Sequence, residues 1–250
     1  MWLWRFASEK DGEPRWALQR EEGGEFEVIR RRSSGDFVRL CKLLGKGEKG
    51  IEKLAMKRGV DQLPGRLLVP ARPSKIVCIG LNYRKHAEEM NKPVPEEPLL
   101  FMKPVTSLLA HGGEVVLPEA SEKVHFEGEL AIVVGRLLKK ASVEEVAEGI
   151  LGYTCANDVT ARDIQRRENR YTRAKGYDTF CPIGPRLRLA GTWAASDEHT
   201  LVTRVNGVER QRSGLGDLIH GVHELVSFVS QIMTLLPGDV ILTGTPSGVG

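Results

Sequence analysis

His125-Phe126-Glu127-Gly128-Glu129-Leu130-Ala131-Ile132-Val133-Val134 is the most informative stretch of this chain. Side chains alternate across a strand, so a strand here places Glu127 and Glu129 on one face, their Cα atoms roughly 6–7 Å apart. Phe126, Leu130, Ile132 and Val134 cover the other face, while Ala131 and Val133 continue the glutamate face as apolar residues. Two carboxylates leading into an apolar face are costly unless positive charge compensates them. A hard divalent cation does this well, because Mg²⁺, Mn²⁺ and Ca²⁺ prefer carboxylate oxygens. The competing reading is a sheet edge at which both glutamates are solvated.

Working outward, Cys155-Ala156-Asn157-Asp158-Val159-Thr160-Ala161-Arg162-Asp163 puts a third carboxylate, Asp158, at the end of an apolar strand and just before a polar helix. Strand ends are where sites are usually built. Arg162 follows one helical turn later and Gln165 three residues beyond it, so both can face the same space. Leu99-Leu100-Phe101-Met102-Lys103-Pro104 ends an apolar strand on a lysine. Leu242-Thr243-Gly244-Thr245-Pro246 opens a Gly-rich turn without the lysine of a phosphate-binding loop, so it is no nucleotide motif. Its N–H groups and hydroxyls can still hold a carboxylate. His86 and Glu89 share a helical face, where such a pair can activate water or simply form a surface contact.

The remaining chain is strand-rich. Arg15-Trp16-Ala17-Leu18, Phe26-Glu27-Val28-Ile29, Ile76-Val77-Cys78-Ile79 and Glu114-Val115-Val116-Leu117 have strand character, as do 129–134, 151–159 and 239–243. Helices are expected over 37–44, 51–54, 160–168 and 223–233, with a flexible segment over 45–50. Val222, Leu225, Val226, Val229 and Ile232 form one buried stripe, and Ser142 with Glu145 forms a capping box. Without regular βαβ alternation, a Rossmann or barrel architecture is disfavoured. A boundary is placed near residue 70, dividing a small N-terminal domain (1–70) from a catalytic domain (71–250).

With 41% apolar and 28% charged residues, the chain can bury a full core. No apolar run is long enough for a membrane span, and the N-terminus lacks a secretory signal. The net charge of +3 is too small to imply nucleic acid, and the Arg30-Arg31-Arg32 run reads as a solvated loop or strand end. Four scattered cysteines without CxxC spacing suit a reducing cytoplasm. Only 5 Asn and 5 Gln against 36 Lys plus Arg and 33 Asp plus Glu suggests a thermophilic source.

The series Ile79-Gly80-Leu81-Asn82-Tyr83, Phe101-Met102-Lys103-Pro104, Phe126-Glu127-Gly128-Glu129-Leu130, Asn157-Asp158-Val159-Thr160-Ala161-Arg162-Asp163, Lys175-Gly176-Tyr177-Asp178 and Leu242-Thr243-Gly244-Thr245-Pro246 resembles the fumarylacetoacetate hydrolase family over about residues 72–250. The resemblance implies an α+β, strand-rich fold of mixed β-roll or sandwich type, with a small N-terminal domain. It implies that Glu127, Glu129 and Asp158 hold one Mg²⁺ or Mn²⁺, and that Lys103, Arg162, Gln165 and Thr245 surround the substrate. Lys175 matches a catalytic lysine. His86 and Glu89 match a water-activating dyad on a mobile lid over 82–98. His125 departs from the family's usual Asp, which bears on the surroundings of the metal. The family continues into a last strand beyond Gly250, so a C-terminal tail is expected.

The family acts on 2-oxo acids or their enols, so a small-molecule substrate and a homodimer are expected, with no nucleic-acid or membrane partner. Arg162, Arg166, Arg170 and Arg173 give a basic neighbourhood suited to a dicarboxylate. That favours an isomerase or decarboxylase of unsaturated 2-oxo dicarboxylates in aromatic catabolism. A C–C hydrolase of acylpyruvates or an oxaloacetate decarboxylase is the alternative, and a non-catalytic binding protein a third reading.

Overall fold

The central strand of the fold, Gly128–Val134, is buried along its whole length. Its alternating side chains enter two separate cores. Leu130, Ile132 and Val134 pack with Val77, Ile79, Tyr153 and Ile241. Ala131 and Val133 pack with Ile76, Cys78, Leu242, Leu3 and Trp16. A fully buried Leu, Ile or Val contributes roughly 1.5–3 kcal/mol, so a one-residue slip of this strand, exchanging its two faces, is strongly disfavoured. The computed structural model describes residues 1–30, 35–54 and 56–250; Arg31 and Arg32 of the basic run lie outside them.

One twelve-stranded mixed sheet dominates. Its main path runs Met56–Val60, Phe26–Ile29, Pro14–Gln19, Trp2–Ser8, Cys181–Leu189, Ile150–Asn157, Gly128–Val134, Val240–Leu242, Ile76–Gly80 and Leu99–Lys103. Val240–Leu242 lies parallel to Ile76–Gly80, and Leu108–Ala110 parallel to Cys181–Leu189. The other pairs along the path are antiparallel. The expected strand-rich α+β class is what the chain adopts. Strands from the first seventy residues join this same sheet through Trp2–Ser8 against Cys181–Leu189, and their side chains share a core with the later strands.

The Val222–Ile232 helix buries Leu225, Val226 and Val229, as its stripe predicts. Ile232 is the exception: it is more than half exposed, in the helix's last turn. The capping box forms, with Ser142 Oγ accepting from Glu145 N at 3.3 Å and Glu145 Oε2 accepting from Ser142 N at 2.9 Å. Three local expectations fail. Glu114-Val115-Val116-Leu117 is not a strand; Val116 N donates to Thr179 Oγ1 at 2.9 Å instead of to a neighbouring strand. The 45–50 segment contributes to a short helix, Glu48–Ile51, which ends where a helix was expected to begin. Glu127 precedes the strand rather than lying in it, because the ladder to the neighbouring strand opens at Gly128. Among the described residues, no helix is long and apolar enough to cross a membrane.

Candidate functional site

Antiparallel pairing sets the three carboxylates together. Gly128 stands opposite Asn157, so the start of one strand meets the end of the other. Asp158 N then donates to Glu127 O at 2.8 Å. Asn157 Oδ1 accepts from Glu127 N at 2.9 Å. One carboxylate oxygen from each of Glu127, Glu129 and Asp158 lies within 4.8 Å of the others, and all three residues are buried. Gly128 between the glutamates is required by close approach: a Cβ there would sit 2.0 Å from Thr203 Oγ1.

Three cations close around the cluster. Lys103, the last residue of Leu99–Lys103, donates from Nζ to Asp158 Oδ1 at 2.7 Å and to Val159 O at 3.2 Å. Lys175, ending the Thr172–Lys175 helix, donates to Glu127 Oε2 at 2.8 Å, Asp158 Oδ2 at 2.5 Å and Thr160 Oγ1 at 2.8 Å. Arg162 donates to Glu127 Oε1 and, at 2.5 Å, to Gln165 Oε1. Glu129 differs from its neighbours: among the described residues its hydrogen-bond donor is a single backbone N–H, that of Gly244, at 2.7 Å. Gly244 makes this contact from a φ of 96°, which glycine adopts without strain.

The electrostatics follow from these partners. Burial, with Asp158 and Glu127 nearby, pushes the Glu129 carboxyl well above its ordinary range. Burial would also raise Asp158, but Lys103 and Lys175 overcome it and hold that carboxyl low. Burial would lower Lys175, yet Asp158 and Glu127 outweigh it and hold its ammonium protonated. All-oxygen donors, convergence and an undercompensated buried glutamate fit a hard divalent cation.

The cluster floors a cavity of about 180 Å³ whose wall includes His86, Phe101, Arg162, Gln165, Lys175 and Thr245. His86 Nδ1 lies 2.9 Å from Glu89 Oε2, and Glu89 Oε1 accepts from Gly248 N at 3.1 Å, joining the Arg84–Glu89 helix to the Gly-rich turn. Thr245 Oγ1 donates to Gly128 O at 2.9 Å and accepts from Gln211 Nε2 at 2.8 Å. Lys103 is not on the cavity wall; its ammonium contacts Asp158 instead. His125 pairs through its backbone with Thr160, and its buried Nδ1 has no partner among the described residues.

The basic neighbourhood sorts into distinct roles. Arg162 and Arg166 line the cavity, whereas Arg173 pairs with Glu168 and Arg170 donates to Asn169 O on the surface. The sequence reading missed Gln211, whose Oε1 accepts from Gly128 N at 2.9 Å while Nε2 also reaches Pro246 O at 2.9 Å. It also gave no role to Asn82, which ties His220 O and Thr243 O together at 3.1 and 2.8 Å. Gln211 sits in a strand of mostly exposed residues and carries no local signal; Asn82 stands within the Ile79-Gly80-Leu81-Asn82-Tyr83 motif, which could have flagged it.

The family model described as "Fumarylacetoacetate (FAA) hydrolase C-terminal" matches residues 75–250. A protein of Archaeoglobus fulgidus is 50% identical over 74% of this chain and 73% of its own length. A mitochondrial oxaloacetate tautomerase of Xenopus laevis is 37% identical over 100% of this chain and 81% of its own. The crystal structure of 5-carboxymethyl-2-hydroxymuconate delta-isomerase from Mycobacterium smegmatis is 38% identical with a TM-score of 0.81, covering 100% of this chain and 90% of that one.

Proposed function

The chain belongs to the fumarylacetoacetate hydrolase family, and we propose that it is a Mg²⁺- or Mn²⁺-dependent isomerase or decarboxylase of unsaturated 2-oxo dicarboxylates, acting through the enol in aromatic catabolism. The observation that carries this reading is the buried convergence of Glu127, Glu129 and Asp158 within 4.8 Å, beside a lysine bonded to two of them. The names of the M. smegmatis isomerase and the X. laevis tautomerase support it, since both reactions move a proton next to a 2-oxygen. A divalent cation held by the three carboxylates supplies positive charge where negative charge develops on the substrate's 2-oxygen.

The chain's own groups do the rest. Arg162 and Gln165 fix the orientation of Glu127, and Lys103 holds Asp158 ionised. Lys175, kept protonated, offers a proton at Nζ from beside the reacting centre. Thr245 and Gln211 brace the turn that presents Gly244 N to Glu129. A homodimer is part of the same proposal, and sedimentation at micromolar concentration tests it.

A C–C hydrolase is the second reading, favoured by the His86–Glu89 pair on the cavity wall. With Nδ1 engaged by Glu89, Nε2 is left to take a proton from water. The two separate in one assay panel: ketonisation of enol-oxaloacetate, isomerisation of 2-hydroxyhepta-2,4-diene-1,7-dioate and hydrolysis of an acylpyruvate, each with Mg²⁺ and with chelator. The proposal expects metal-dependent turnover in the first two. Fastest turnover of the acylpyruvate, with His86 essential, establishes the hydrolase instead.

A further inference from the structure

The cavity wall carries more positive charge than its own acids neutralise. Its cations are Lys175, Arg162, Arg166 and Lys92, against the acids Glu127, Glu129 and Asp158. Lys175 and Arg162 are bonded to the carboxylate cluster, and His86 is held by Glu89. Arg166 and Lys92 have no acidic partner among the described residues. Both are exposed at the cavity mouth, Lys92 in the segment after the Arg84–Glu89 helix.

We infer that Arg166, assisted by Lys92, binds the distal carboxylate of a 2-oxo dicarboxylate whose 2-oxo acid end lies at the Glu127, Glu129, Asp158 cluster. This rests on the proposed function and adds the substrate's length to it. Arg162 and Arg166 are four residues apart on the Arg162–Glu168 helix, an axial rise of about 6 Å. Arg162 marks the cluster, through Glu127. Three bonds in trans span about 3.8 Å, which is the separation of the two carboxyl carbons of oxaloacetate. Five such bonds span roughly 6 Å, the separation in a six-carbon 2-oxo dicarboxylate. Phe101 and Tyr171 also line the cavity, their rings 4.9 Å apart, and offer an apolar wall to an unsaturated spacer. On this inference a six-carbon dicarboxylate fits better than oxaloacetate. A guanidinium suits this role because its planar fork receives a carboxylate through two parallel hydrogen bonds.

The test is calorimetric titration of the Mg²⁺-loaded protein with 2-oxoadipate, with 2-oxohexanoate as the equally long monocarboxylate, and with oxalate as a probe of the metal end alone. The wild type is expected to bind 2-oxoadipate at least tenfold more tightly than 2-oxohexanoate. R166Q should weaken 2-oxoadipate about ten- to a hundredfold and leave 2-oxohexanoate and oxalate unchanged. R166K should restore part of the loss, and R167Q, at an exposed neighbour outside the cavity, should behave as wild type. Unmoved 2-oxoadipate affinity in R166Q, or equal weakening of all three ligands, overturns the distal subsite while the metal-end reading stands. Failure of the wild type to bind oxalate in a Mg²⁺-dependent way overturns the proposed function and this subsite with it.

Discussion

Two buried acids, Asp239 and Glu129, stand at opposite extremes of compensation. Asp239 Oδ1 accepts from Ser74 N at 2.9 Å, Ser74 Oγ at 2.7 Å and Lys75 N at 3.2 Å. Its Oδ2 accepts from Leu236 N at 2.8 Å and pairs with Lys75 Nζ. Burial would raise this carboxyl, but Lys75, Leu236 N and Ser74 together hold it low. Glu129 is equally buried, has one N–H donor and two acidic neighbours, and is pushed up. A carboxylate satisfied by its own chain fastens two segments together. One left short of positive charge inside an acidic cluster is built to receive a cation.

Exchanging each acid for its amide sharpens that contrast most. E129Q should lower turnover about a thousandfold or more, because the metal's stabilisation of the transition state is lost. In metal-free protein it should leave the melting temperature unchanged or higher, since an undercompensated buried charge is removed. D239N should do the opposite, costing about 3 kcal/mol of stability while the folded fraction keeps its activity. Equal destabilisation by both substitutions in denaturant melts breaks the comparison.

The next contrast lies within the cavity. K175A should lower isomerase turnover about 10²–10⁴-fold, and H86A by less than about tenfold, since only hydrolysis requires an activated water. Steady-state kinetics on the unsaturated dicarboxylate check both, and the reverse order favours the hydrolase. A smaller effect concerns pH. Asp239 has a lowered folded pKa, so its stabilisation is fully present above its unfolded value of about 3.9 and disappears as pH falls through the folded value. Wild type should therefore lose stability on acidification below about pH 4 more steeply than D239N. Parallel profiles contradict this.

What was legible in the sequence had local period or chemistry. Leu130 to Val134 is an uninterrupted apolar run, and both faces of the strand are buried as such a run implies. The capping box at Ser142 is local by construction. Asp158 announced itself as an acid ending an apolar strand. Pairing was not legible: Val115 and Val116 have strand propensity, yet Val116 is 65% exposed with no strand beside it. The four arginines looked alike in sequence, and only the folded helix sends Arg162 to Glu127 and leaves Arg173 on the surface with Glu168. Gln211 supports the site from a distant hairpin, through contacts 34 and 83 residues away.

Calorimetric titration of Mn²⁺ into wild type, E129Q and D239N shows whether Glu127, Glu129 and Asp158 form one metal site. One site per chain is expected in wild type and D239N, with a matching rise in melting temperature of the loaded protein, and no binding in E129Q. Ligand at a hundred times its dissociation constant should stabilise the two competent proteins by about 2.7 kcal/mol. Equal Mn²⁺ affinity in wild type and E129Q, or no binding by wild type, contradicts such a site.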